Sequence, residues 1–267
     1  RNRNSPITIL CCDNIRQNGV VLETQFLAYL YQTNQYELAD WVRSNVCFPS
    51  SMVDRITPRI TRTLQEEIEE LFPGLGRSAV QSEEYTQWVL ENKYVTDFPD
   101  LREVGVTVTD NLAPYEETKI RILNGGHTSL AYLGVLSGYQ TFDQVMNDPT
   151  HRNHFKKLQN EEIVPSIEMD LPFDVDEYVE KIEERLSSES NHDELERICM
   201  DGFTKFHTFI VPSLRNCLEQ GKKPIHTYRS IAGWYLYARR FSRGCKKIRY
   251  SEPNGLLLEP LLGEGNI

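Results

Sequence analysis

With 267 residues, 39% of them hydrophobic and 25% charged, the chain has material for one or two ordinary cores and is neither fibrous nor disordered in composition. Its 39 acidic against 29 basic side chains give a formal charge of -10, which excludes a broad nucleic-acid footprint while allowing a local basic patch. No apolar run approaches the roughly 18 residues of a membrane span and the amino end has no signal-peptide pattern, so a cytoplasmic protein with no membrane partner is expected.

The first element is Pro6-Ile7-Thr8-Ile9-Leu10-Cys11-Cys12, a β-branched run ending at Asp13-Asn14. It reads as a buried strand with two polar groups at its carboxyl end. Helices are expected over 20–31, with Leu22, Phe26 and Leu30 inward, and over 36–46, with Leu38, Trp41 and Val42 inward. Ser51 to Pro58 is a short extended piece ending in a polar pair. An acidic helix over 61–71 follows, with Thr61 or Thr63 as its cap, then a short helix over 83–91 and a strand over 105–109. After Asp110 the pattern is helical: a long stretch from 115 to 139, mildly interrupted at Gly125-Gly126, then 141–161, 174–187, 191–220 and 225–240. The tail beyond Arg243 has no clear period. The chain therefore divides near residue 110, with α/β structure over 1–110 and an all-helical part over 111–267. No Gly-x-Gly-x-x-Gly run follows a strand; Gly74-Leu75-Gly76 follows a helix and a proline and reads as a loop.

The cysteines Cys11, Cys12, Cys47, Cys199, Cys217 and Cys245 lack the repeated short spacing of zinc or iron-sulfur ligands, and a reducing setting is the economical reading. Nor do His151, His154, His192, His207 and His226 group with carboxylates or cysteines as metal ligands would, so no metal is expected.

The richest stretch is Lys119-Ile120-Arg121-Ile122-Leu123-Asn124-Gly125-Gly126-His127. At α-helical spacing Asn124 lies about 140° from Lys119, with His127 between them, so one face can present all three. A lysine pressed into a partly apolar pocket has a lowered pKa and can take a proton from an alcohol. Asparagine can donate to the developing alkoxide, and a histidine nitrogen can fix a second oxygen. A solvated lysine beside two satisfied polar side chains explains the same spacing. Asn14 at a strand end can face the same oxyanion, or belong to an Asx turn or helix cap. Asp54 can accept substrate hydroxyls, or be tied to Arg55 or to backbone amides. Glu116, one turn before Lys119, can relay a proton or form an ordinary surface pair. Arg197 and Lys205 can reach substrate hydroxyls, with Asp201 holding one of them, or lie on a solvated face.

Longer words decide the weighting. Pro6 to Asn14 with Asn18-Gly19, Phe48-Pro49-Ser50-Ser51-Met52-Val53-Asp54-Arg55-Ile56-Thr57-Pro58, Gln87-Trp88-Val89-Leu90-Glu91-Asn92, Pro114-Tyr115-Glu116, Lys119 to His127 and Leu130-Ala131-Tyr132-Leu133-Gly134 together resemble the long-chain mannitol dehydrogenase family. That family comprises polyol 2-dehydrogenases and hexuronate reductases that work without zinc. The resemblance implies the carboxyl-terminal part of a Rossmann-type domain over 1–110, its glycine-rich half lying outside this chain. Over 111–267 it implies an all-helical substrate domain like that of 6-phosphogluconate dehydrogenase. It assigns Lys119 as general base, Asn14 and Asn124 as the oxyanion pair, and Asp54, His127, Arg197 and Lys205 as substrate contacts, with Glu116 gating the proton. The implied cofactor is NAD, with NADP as the alternative, and its binding residues are not assigned. The implied partners are a small polyol, ketose or hexonate, and the implied state is a monomer. Mannitol or arabinitol is preferred as substrate over mannonate because the phrase ending Ile56-Thr57-Pro58 is of the polyol type. A fructuronate reductase and a non-catalytic fragment or helical interaction module are the alternatives.

Overall fold

The computed structural model describes residues 5–242 and 250–262. Cys245 and the last five residues of the tail lie outside the described residues. The chain forms two compact units, residues 1–55 with 84–116 and residues 56–83 with 117–267. The segment 56–83 thus lies with the helices, although it falls between two stretches of the α/β unit.

In the first unit, β1 (Ile7–Thr8) is followed by α1 (Asn18–Gln32), α2 (Tyr36–Asn45) and β2 (Val46–Cys47), and the two short strands pair in parallel. Leu30, Ala39, Val42 and Phe48 form the buried centre between the helices, with Phe26 packed against it. The inward face of α2 is rotated by one residue from the expected one: Leu38 is exposed and Ala39 is buried. The expected buried strand over 6–12 is also shorter and more open. Only Ile7 and Thr8 are strand, Ile7 is exposed, and among the described residues β1 has a neighbour on one edge alone. One further backbone bond, from the Ile9 N–H to the Cys47 carbonyl at 2.9 Å, follows the strand, and from Cys11 onward the side chains of Asn18 and Ser51 hold the chain.

The second sheet orders β3 (Ser51–Asp54), β4 (Gln87–Glu91) and β5 (Thr107–Thr109), β4 lying antiparallel to β3 and parallel to β5. The helix expected over 83–91 is therefore wrong: Gln87–Glu91 is the central strand. Val89 and Leu90 are both fully buried, so the strand is covered on both faces and loses the alternation that would have marked it.

The second unit begins with α3 (Arg62–Leu71), capped by Thr61, whose Oγ1 accepts the Leu64 N–H at 3.2 Å. Its limb is tied down by a buried ion pair in which Arg185 Nη2 donates to Glu83 Oε1 at 2.7 Å and Nε to Oε2 at 3.0 Å. The same Glu83 accepts the Ile56 N–H at 2.6 Å.

The long helix expected over 115–139 is present but not uniform. It runs as α4 (Ala113–Thr118), a π-helical segment Lys119–Gly125, and α5 (Gly126–Leu136). α5 is the centre of the unit and is buried on nearly every side. Where it meets the next helices a side chain at Gly126 would run into the Gln159 amide and the Phe155 ring, so glycine is required there. Around it lie α6 (Phe142–Asn147), α7 (Pro149–Lys157), a second π segment Leu158–Ile163, α8 (Val175–Leu186), α9 (Leu195–Ile198) and α10 (Gly202–Lys205). A third π segment Phe206–Ile210, α11 (Val211–Glu219), α12 (Ile225–Ser242) and α13 (Gly255–Leu262) complete the described chain. The single helices expected over 141–161 and 191–220 are interrupted. Asp148-Pro149 ends one helix and caps the next, its carboxylate taking the Thr150 and His151 N–H groups at 2.9 and 3.0 Å. Asp201 breaks the other with a left-handed backbone, φ 53°. The second π segment supplies Glu162, whose carboxylate receives the His226 and Thr227 N–H groups, both at 2.7 Å, and so caps α12. Among the described residues no helix is long and apolar enough to cross a membrane.

Candidate active site

The π segment changes the geometry that α-helical spacing predicts for Lys119 and Asn124. A π turn closes between residues i and i+5, and these two residues are five apart. They therefore lie on one side of the helix, much nearer each other in direction than the roughly 140° of α-helical spacing. Lys119 is buried. The Nδ2 of Asn124 is also buried, and among the described residues it makes no hydrogen bond. An amide N–H without an acceptor in such a place is unfavourable unless something else supplies one. His127 follows one turn later on α5.

His127, Arg197 and Lys205 come together around a residue the sequence analysis did not single out, Asp193. Its carboxylate accepts Arg197 Nε and Nη2 on Oδ1 at 2.9 and 2.6 Å, and Nη2 again on Oδ2 at 2.6 Å. The His127 Nε2 faces Asp193 Oδ2 at 3.6 Å, and the Phe142 ring packs edge-on against the imidazole at 4.2 Å between centroids. Burial pulls the imidazole pKa down to about 4, against the pull of Asp193 and helped by Arg197 and Lys205. Lys205 Nζ donates to the Ile198 carbonyl at 2.8 Å, and burial, followed by the neighbouring Arg197, lowers its pKa. The expectation that Asp201 holds one of the two cations differs from what is found: Arg197 is held by Asp193, and Asp201 Oδ1 is buried without a hydrogen bond. The signal for Asp193 was its place four residues before Arg197, the spacing of a helical ion pair.

The remaining candidates lie in the first unit. Asn14 is exposed in the loop that precedes α1, with its N–H on the Asp13 carboxylate at 2.8 Å. That loop is fixed by Asn18, whose Nδ2 donates to the carbonyls of Cys11 and Asp13, both at 3.0 Å. Gly19 lies so close to the Phe48 and Pro49 backbone that no Cβ fits, which explains the Asn18-Gly19 pair as the seat of this loop. Glu116 is buried and its Oε1 accepts the N–H of Gln17, the left-handed residue that opens α1, at 3.0 Å. Asp54 is buried at the carboxyl end of β3. Among the described residues there is no group of three or more His, Cys, Asp or Glu that could hold a metal ion.

Residues 111–258 match the mannitol dehydrogenase C-terminal domain, and residues 1–103 match the mannitol dehydrogenase Rossmann domain. The chain belongs to the mannitol dehydrogenase family. The fold of this family member is accordingly an amino-terminal Rossmann-like α/β part followed by an all-helical part. Mannitol dehydrogenase DSF1 of Saccharomyces cerevisiae is 34% identical over 253 residues, covering 93% of this chain and 50% of the yeast protein. The D-mannonate oxidoreductase of Escherichia coli is 34% identical over 232 residues, covering 87% of this chain and 48% of its own. The solved ternary complex of Pseudomonas fluorescens mannitol 2-dehydrogenase with NAD and D-mannitol superposes with a TM-score of 0.82 at 32% identity. That match covers 97% of this chain and 53% of the bacterial one. This family member thus spans about half the length of the relatives it matches.

Proposed function

We propose that the protein to which this chain belongs is an NAD-dependent polyol 2-dehydrogenase that interconverts a sugar alcohol such as mannitol or arabinitol with its 2-ketose. The observation that carries the reading is the pairing of a buried lysine with an unbonded buried amide on one side of the π segment. That pair suits an alcohol on its way to a ketone. Lys119 takes the hydroxyl proton, and Asn124 donates to the oxygen as its charge grows. Asn14 is the second donor, Glu116 the proton gate, and Asp54, His127, Arg197 and Lys205 hold the remaining hydroxyls. His127, neutral at physiological pH, binds as a hydrogen-bonding ring and not as a cation.

These side chains fit the proton half of an oxidation. When bound, NAD supplies the hydride acceptor; NADP is the alternative, and the residues of this chain that would touch either are not assigned. The chemistry calls for no zinc, since a buried lysine and two amides can do what a metal-bound alkoxide otherwise requires. The likeness to a mannitol 2-dehydrogenase solved with NAD and D-mannitol supports the reading, as does the family membership. The helical unit we take to be the substrate domain, of the type found in 6-phosphogluconate dehydrogenase, working in a cytoplasmic monomer.

The test is turnover of the intact protein with NAD and D-mannitol, D-arabinitol or D-mannonate, followed by nicotinamide absorbance with and without a chelator. NAD reduction by a polyol, unaffected by the chelator, is the expected result. Turnover of D-mannonate alone would replace the reading by a hexonate oxidoreductase, which the likeness to the Escherichia coli enzyme makes the second choice. No turnover of any of them would leave a non-catalytic protein.

A further inference from the structure

We propose that Asp193 is the positioning residue of this site, holding Arg197 in place and setting the tautomer of the His127 ring whose buried, unbonded Nε2 faces it, and thereby favouring an uncharged polyol over a hexonate. The proposal rests on the polyol reading above for its substrate, and on geometry for its mechanism.

Asp193 is held more firmly than a side chain at the end of a loop would be. The Phe142 N–H donates to its carbonyl at 2.9 Å, and two residues on, the Leu195 N–H donates to Gln140 O at 2.9 Å. The preceding His192 has a left-handed backbone, φ 37°, the kind of strain that persists where its surroundings dictate it. The carboxylate itself is 5% exposed. From this mount Oδ1 receives the Nε and Nη2 of Arg197, and Oδ2 both receives Nη2 and faces His127 Nε2.

Two consequences follow. A neutral imidazole has one N–H, and a carboxylate opposite Nε2 favours the tautomer that carries it there. The lone pair then resides on Nδ1, so His127 meets a substrate hydroxyl as an acceptor. The second consequence concerns charge. Arginine binds a carboxylate best through a two-pronged fork, and here the prong pair of Nε and Nη2 is already closed on Asp193. Lys205 is turned to the Ile198 carbonyl. The end-on donors of Arg197 remain open, but the guanidinium charge is compensated, so a hydroxyl is served as before while a substrate carboxylate gains less from the charge.

Intact protein carrying ¹⁵N-histidine tests the first consequence, with the His127 signal assigned by its loss in His127→Gln. The wild type is expected to show the Nε2–H tautomer, and Asp193→Asn a mixture. In kinetics, Asp193→Asn should raise KM for the polyol by roughly 10- to 100-fold with kcat within a few-fold. It should also move the kcat/KM ratio of D-mannonate to D-mannitol upward by about tenfold, since the charge of Arg197 is then no longer compensated. Asp193→Glu should recover part of the KM. An Nδ1–H tautomer in the wild type overturns the proposal without any variant, as do an unchanged KM and substrate ratio in a folded Asp193→Asn. Failure of the wild type to oxidise any polyol defeats the polyol reading and with it the substrate preference, while the tautomer still decides the positioning role.

Discussion

Asn18 and Ser51 hold each other in both directions: Asn18 Nδ2 donates to the Ser51 carbonyl at 2.9 Å, and the Ser51 N–H returns to Asn18 Oδ1 at 2.8 Å. With its further bonds to Cys11 and Asp13, this one amide joins the loop bearing Asn14 to the strand that ends at Asp54. Replacing it leaves the buried Ser51 N–H without its acceptor and takes a shared donor from the Ser51, Cys11 and Asp13 carbonyls. Asn18→Ala should therefore destabilise by about 2–4 kcal/mol, and Asn18→Asp, which accepts but cannot donate, by a similar amount. Thermal unfolding would measure both, and an alanine variant as stable as the wild type would contradict this account.

The buried Glu83–Arg185 pair invites a second measurement. Removing one partner strands the other charge in the helical unit, for which about 3–5 kcal/mol is expected. Replacing both by methionine removes the charges together and should recover much of that loss. A double-mutant cycle in denaturant shows whether the pair acts as a unit.

Acid should weaken the helical unit through its buried histidines. Burial, with Arg229 and His226 adding to it, pushes the His154 pKa down to about 3, and His127 is at about 4. Both lie below the ordinary 6.5, so as pH falls through 6.5 the unfolded chain takes up protons that the folded chain refuses. Stability is thus complete above that pH and declines toward 4, each group adding up to about 1.4 kcal/mol per pH unit to the slope. Denaturant midpoints at pH 7, 6 and 5 would trace this decline. His154→Gln, which does not titrate, should flatten it.

Kinetics of the intact protein should separate the two side chains of the π segment. Lys119→Ala should lower kcat by about 10²- to 10⁴-fold, the range of a lost general base. Asn124→Ala should lower it by about 10²- to 10³-fold with little change in KM, because its amide serves the developing charge. A loss confined to KM would make Asn124 a ground-state contact.

The separate amphipathic or acidic helices were legible in the sequence: α1, α3, α8 and α12 stand within two residues of their expected bounds, and Thr61 caps α3 as its hydroxyl suggests. Gln87–Glu91 was not legible, because a strand covered on both faces shows a plain apolar run. The π segments were hidden for a different reason. Their register is set by tertiary partners such as the Gln159 amide, which donates to the Ile122 carbonyl at 2.9 Å, and not by any local propensity. The gathering of His127, Arg197 and Lys205 came from family likeness, whereas the anion between them was within reach of a spacing argument.

The limb formed by residues 56–83 bears on how this chain can be dissected. A helical fragment started after residue 116 would contain Arg185 yet lack Glu83, the carboxylate that meets it, along with Ile56 at the edge of the apolar interior. Such a fragment loses the counter-charge of Arg185 and uncovers the apolar surface on which Ile56 packs, so it should express as an aggregate or a loosened helical species. Excising the limb and rejoining it ahead of residue 117 through a flexible spacer would return the missing charge. The helical half is, in the order of the gene, two pieces of one object.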